Sequence, residues 1–239
     1  MGRLKSSADI LGTQEIKTVG LWKALAAEFL GTLILVLFGC ASTLDEKTDI
    51  VRVSLTFGFT LACLIQALGH ISGCHVNPSV TLGMLVARYI SVTRSILYVV
   101  AQTLGGIAGA GILYGITPES LRYGMGCTRV NPELTEGQAF GVEVLCTFLL
   151  VFTIFGSTDS RRTDVKGSIS LAIGLAAICT HMFGVYWAGP VCGGILGALV
   201  YQALFRGAHK PTPPPSDLHT ARPLIPITHK ELKNLEMEA

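Results

Sequence analysis

The chain carries little charge for its length. Of 239 residues, 14% are Asp, Glu, Lys or Arg, while 50% are hydrophobic and 27 are glycine. Soluble domains average about 25% charged residues. One soluble core has no use for so much apolar surface, and glycine enrichment suits packed membrane helices. Paired cysteines are lacking as well. Cys40, Cys63, Cys74, Cys127, Cys146, Cys179 and Cys192 form no Cys-x-x-Cys pair and sit mostly in apolar runs. That speaks against a disulfide framework or a zinc site and for small packing residues. The first 20 residues contain no continuous apolar stretch of the kind a cleavable signal peptide needs, so the first span is expected to serve as the targeting signal. A net charge of +2, without a stacking or groove-reading motif, offers nothing to nucleic acid. No Ser-His-Asp arrangement, phosphate-binding loop or metal-hydrolase pattern occurs, so neither an enzyme nor a cofactor is expected.

What is present is a series of apolar segments: 21–42, 51–69, 94–116, 137–157, 168–183 and 185–205. A further run, 77–86, has only ten residues, too few for the roughly 20 that cross a hydrocarbon core of about 30 Å. The fifth segment is short, 16 residues rising about 24 Å. The expected fold is an all-α membrane protein with six transmembrane helices: an N-terminal tail 1–20, a membrane domain 21–205 with halves 21–116 and 137–205, and a C-terminal tail 206–239. "KPTPPPSD" marks the tail as a linker. With this topology fourteen of the 18 Lys and Arg residues fall inside, and only Lys47, Arg52, Arg122 and Arg129 outside. That bias places both termini in the cytoplasm.

The two halves repeat each other. "AEFLGTLILVLFG" resembles "VEVLCTFLLVFTIFG", pairing Glu28 with Glu143 at an offset of 115. "VSLTFGFTLA" resembles "ISLAIGLAAI", pairing Gly58 with Gly174 at 116. "AQTLGGIAGAGILYGI" resembles "GPVCGGILGALVYQAL", pairing Gly105 with Gly193 at only 88. Three spans precede the second copy, so the copies insert with opposite orientation, an inverted repeat of three plus three. The second half is short by 27 or 28 residues after Phe183. In the first half the corresponding region holds "GHISGCHVNPSVTLGMLVARYI". The chain is therefore expected to have one re-entrant half-helix and to lack its twin.

"SGCHVNPSVTLG", with "AEFLGT" and "AQTLGGIAGA", resembles the aquaporin or major intrinsic protein family from about residue 21 to 205, closest to its water-selective, insect-like members. The Asn-Pro-Ala signature reads Asn77-Pro78-Ser79 here; the second signature and its following arginine have no counterpart. The resemblance implies a passive water pore in which two half-helices meet at mid-membrane and their asparagines donate to water. Phe57 and His181 match the outer selectivity ring, a pair whose size excludes glycerol, with the histidine donating a hydrogen bond. Glu28, Glu143 and His75 match groups that brace the re-entrant loops. Water, the lipid bilayer and either a homotetramer or a hetero-oligomer with full-length subunits are the implied partners, at the cell membrane or retained in the endoplasmic reticulum.

The residues support that reading on physical grounds. Proline in a first helical turn loses no needed N–H, and Asn77 can cap the helix or offer its amide to a passing oxygen. The helix N-terminus is electropositive and opposes cations. Re-entrant backbone survives in a bilayer only where it is buried in protein or lines water. Buried acids such as Glu28 and Glu143 must find hydrogen-bond partners. A metal at His70, Cys74 and His75 is not expected, since no carboxylate joins them. Segments 168–183 and 185–205 are expected to form a hairpin turning near Phe183 and Gly184; the rival is one fused helix. Two functions stand open: a passive water channel, or a shortened, non-conducting subunit that assembles with full-length ones. A proton-coupled transporter finds no further acid in the spans.

Overall fold

The computed structural model describes residues 6–44, 49–122, 124–127, 132–164, 167–183 and 190–205. Among them every regular element is helical. A short helix α1 (Ser7–Leu11) and a 3-10 turn (Thr13–Lys17) precede α2 (Val19–Ala41), α3 (Ile50–Ser72), α4 (Pro78–Val86), α5 (Val92–Ile116), α6 (Glu136–Ser157), α7 (Ile169–Phe183) and α8 (Pro190–Val200). A π turn, Tyr201–Phe205, closes α8. Four helices, α2, α3, α5 and α6, are long and apolar enough to cross a membrane; α7 and α8 are apolar but shorter. The C-terminal tail 206–239 and the junction at Gly184 lie outside the described residues.

Local chemistry sets the helix starts. Thr18, Asp49, Ser91 and Thr135 each cap a long helix by accepting a backbone N–H on the side-chain oxygen. Thr135 and Gln138 close a reciprocal capping box. The described part of the sixth segment begins at Pro190.

The sequence repeat reappears in the packing. A Cβ at Gly105 would fall 2.3 Å from the Phe29 carbonyl oxygen, and one at Gly193 would fall 2.3 Å from the Val144 carbonyl oxygen. One turn on, Gly109 meets the Leu33 carbonyl and Gly197 the Phe148 carbonyl, at 2.4 and 2.9 Å by the same measure. Phe29 and Val144, like Leu33 and Phe148, are matched at the offset of 115. Gly58 and Gly174 face each other, each 2.6 Å from the other's carbonyl oxygen by the same measure. Small residues thus let α5 lie on α2, α8 on α6, and α3 on α7, with backbones close enough for dispersion to hold helices that lipid would not drive together.

These contacts also give the helix directions. Gly193 and Gly197 advance along Val144 and Phe148, so α8 runs parallel to α6. In α7, Ser170 Oγ donates to Gln66 while Ile178 meets Gly58, so α7 runs antiparallel to α3. The Cys146 thiol, early in α6, donates to the Thr180 carbonyl late in α7. Helix α7 therefore runs antiparallel to α6 and α8 parallel to it, so α7 and α8 run antiparallel to each other, as a hairpin demands and a single fused helix forbids. At the other end of α6, Asp159 accepts from Arg161 and from Tyr201 Oη, which ties the π turn to the following loop. The Arg161 guanidinium holds the Asp159 carboxyl well below the usual carboxylate range.

Candidate functional site

The half-helix α4 is delivered by an unusual stretch of backbone. Helix α3 ends at Gly73 with φ +90°, and Cys74 and Val76 follow with φ +49° and +40°. A β-branched residue at positive φ is strained, at roughly 1–3 kcal/mol, and persists only where its surroundings hold it.

Glu28 does the holding. It is fully buried in α2. Its Oε1 accepts from Ser72 Oγ at 2.6 Å and from the His75 N–H at 2.9 Å. Its Oε2 accepts from the Val76 N–H and from Gln102 Nε2, both at 2.7 Å. Four donors satisfy a buried carboxylate without a cation. Among the described residues every peptide is trans, so within each planar peptide the carbonyl points opposite to its N–H. Gathering the His75 and Val76 N–H groups on Glu28 therefore turns the Cys74 and His75 carbonyls the other way, giving a ladder of acceptors.

Asn77 follows in extended backbone and caps α4, its Oδ1 accepting the Ser79 N–H at 2.7 Å, with Pro78 in the first turn. Its Nδ2 has no partner among the described residues. The seat of α4 is a second glycine contact: a Cβ at Gly194 of α8 would lie 2.7 Å from the Ser79 carbonyl oxygen. His75 is buried, with Nδ1 3.2 Å from Thr81 Oγ1 and its ring edge-on to Tyr98. His70, by contrast, is exposed on α3. Among the described residues no group of three or more His, Cys, Asp or Glu is placed to hold a metal. Glu143, the repeat mate of Glu28, is 2% exposed.

Cys74, His75, Val76 and Asn77 line a cavity of about 70 Å³, whose other walls include Leu35, Ile65, Val80, Ile154, Ile173, Phe57 and His181. At roughly 10–15 Å³ per water, it has room for about five to seven. The cavity is apolar apart from the carbonyl ladder, the Asn77 amide and His181. Phe57 and His181 stack, ring centroids 4.5 Å apart at 20°. His181 Nδ1 lies 2.8 Å from the Ala177 carbonyl. A carbonyl only accepts, so Nδ1 is the donor in this contact.

The structure thus brings Phe57, Asn77 and His181 to one cavity, with Pro78 and Ser79 in the helix below it and Glu28 and His75 behind the loop. Sequence reading missed Ser72, Thr81, Tyr98 and Gln102. Gln102 Nε2 bridges Glu28 to Thr81 Oγ1. An uncharged polar residue within an apolar span is a functional candidate by default, and that was the available signal.

A family model described as major intrinsic protein matches residues 15–185. Mouse Aquaporin-4 is 43% identical over 222 residues, covering 79% of this chain and 69% of its own length. Human Aquaporin-5 is 40% identical over 219 residues, covering 79% and 83%. Among solved structures, the aquaglyceroporin from Plasmodium falciparum matches with a TM-score of 0.67 at 19% identity, over 77% of this chain and 96% of that one. At that identity the likeness is one of fold.

Proposed function

The chain belongs to the major intrinsic protein family, as an aquaporin-type membrane channel, and on that footing we propose that its cavity is a passive pathway for water. The observation behind this reading is the meeting, in one narrow apolar cavity, of the Asn77 amide, the carbonyl ladder of the loop and the Phe57–His181 pair. Single-file water needs donors and acceptors that replace its lost hydrogen bonds, and the loop supplies both. Two large rings stacked at one wall narrow the cavity, which favours water over the bulkier glycerol. The electropositive start of α4 opposes cations. An osmotic jump, followed by swelling in water and in glycerol, tests this choice of substrate.

A second reading concerns this chain as it stands: a shortened subunit that conducts little by itself and associates with full-length subunits. The repeat deficit after Phe183 favours it. So does the alignment with mouse Aquaporin-4, since 79% of 239 residues is about 189, some 33 fewer than the 222 aligned positions. The family match also stops at residue 185, where the repeat offset drops.

For topology, the distribution of Lys and Arg supports cytoplasmic termini, with the loop 117–136 outside. Protease or cysteine-reagent access on intact cells is expected to reach that loop and to spare a tag placed after Ala239. A tag cleaved from outside would reverse the orientation of the second half.

A further inference from the structure

A chain of hydrogen bonds joins the segment ahead of the first span to the loop that carries Asn77. Glu15, in the turn Thr13–Lys17, faces Arg94 at the start of α5: Arg94 Nε lies 2.6 Å and Nη2 2.5 Å from Glu15 Oε2. Arg94 Nη1 donates to Tyr98 Oη at 3.2 Å, one turn along the helix. Tyr98 is wholly buried, and its Oη lies 2.8 Å from the Ser72 carbonyl oxygen. The direction of this chain is fixed. A guanidinium only donates and a carbonyl only accepts, so Tyr98 accepts from Arg94 and gives its proton to Ser72. Ser72 is then held at both ends, its carbonyl by Tyr98 and its Oγ between Glu28 and the Cys74 N–H. The segment itself is docked, with Thr93 Oγ1 donating to the Leu11 carbonyl at 2.7 Å and Gly12, at φ +69°, pressed against Ser91.

We propose that Glu15 is a positioning residue for loop 72–77: by fixing the plane of the Arg94 guanidinium it keeps the Tyr98 hydroxyl on the Ser72 carbonyl, and so sets the backbone that presents Asn77. A rigid planar fork bound along one edge has the direction of its remaining N–H settled. A loop with three of four consecutive residues, Gly73, Cys74 and Val76, at positive φ keeps its shape only if it is held from several sides. Glu28 holds its N–H groups; the Glu15–Arg94–Tyr98 relay holds the carbonyl at its start. What this means for flux rests on the water-pathway reading, whereas the relay does not.

The test therefore reads backbone protection rather than flux. Hydrogen exchange is measured on the full chain in lipid nanodiscs, with peptides covering 72–77 read against 169–183 as an internal control. Limited proteolysis within 6–17 reports docking of the segment. E15Q and R94Q are each expected to speed exchange at 72–77 about three- to ten-fold, the size of one net hydrogen bond, with 169–183 unchanged. Y98F is expected to do at least as much. The swapped pair E15R/R94E separates a relay from a simple tether. It remakes the ion pair and the docking, but the carboxylate then at position 94 accepts the tyrosine proton and draws it away from Ser72. Exchange at 72–77 should stay fast in the swap. Unchanged protection in E15Q, protection restored by the swap, or equal loosening of 169–183 would each overturn the assignment.

Discussion

Insertion after Phe183 of the 27 or 28 residues that the repeat lacks, taken from a related water channel, is expected to give fast water flux, no glycerol flux and no ion current. The first half of the pathway is already built. Glu28 pins the loop, the Cys74 and His75 carbonyls face away from it, and Asn77 keeps an amide N–H to offer. An inserted second half-helix would bring an opposing N-terminus and a second asparagine, which orient a water file from both sides. Gly106, the repeat mate of Gly194, offers it a seat: a Cβ there would meet only Val36 and Thr32 side chains, at 3.7 and 3.9 Å. On the proposed reading the stacked Phe57 and His181 narrow the pathway, and exclusion of the triol by size is the expected result. Swelling of proteoliposomes after water and glycerol jumps reads both numbers. Rapid glycerol entry would remove the water-selective reading while leaving the family and fold untouched.

Glu28→Gln is expected to cost most of the folded protein. The carboxylate accepts four hydrogen bonds on two oxygens. An amide has one oxygen and turns an NH2 group toward two of those donors. Either Ser72 and His75 or Val76 and Gln102 lose their acceptor in a dry interior. Two orphaned buried donors, at about 1–3 kcal/mol each, approach the lower end of a typical margin of about 5–15 kcal/mol. The strained backbone at Cys74 and Val76 then loses half of the hydrogen bonds by which position 28 holds it. Thermal unfolding and the monodisperse fraction in detergent provide the check. A melting temperature unchanged within a degree would mean that the loop is held by something other than Glu28.

The start of the half-helix was legible because two residue types announce it: a proline that needs no N–H and an asparagine that supplies a cap. The repeat was legible for a similar reason. A glycine whose added Cβ would fall 2.3 Å from a carbonyl oxygen has no substitute, so Gly105 and Gly193 stand out at matching places. Glu28 was legible as a buried acid in need of donors, but the donors were not. Hydropathy marks a span without saying which face of it meets which neighbour. Tyr98 and Gln102 lie four residues apart, and read singly each is an amphipathic residue in an apolar run. Only the packing of α5 turns both toward Ser72, Thr81 and Glu28. The docking of Glu15 on Arg94 joins positions 79 apart in sequence, and nothing local encodes it.

The measurement closest to the central claim is osmotic water permeability per surface molecule, for this chain alone and for the insertion variant in the same cells. Surface protein is quantified by labelling the loop 117–136, so that poor delivery and poor conduction are separated. The account predicts a value near background for the chain as it stands and a fast, glycerol-excluding value for the insertion variant. Equal, fast permeability per molecule in both would contradict it: the half-pathway walled by Phe57, Asn77 and His181 would then be completed by residues of this chain, and no missing half-helix would be needed.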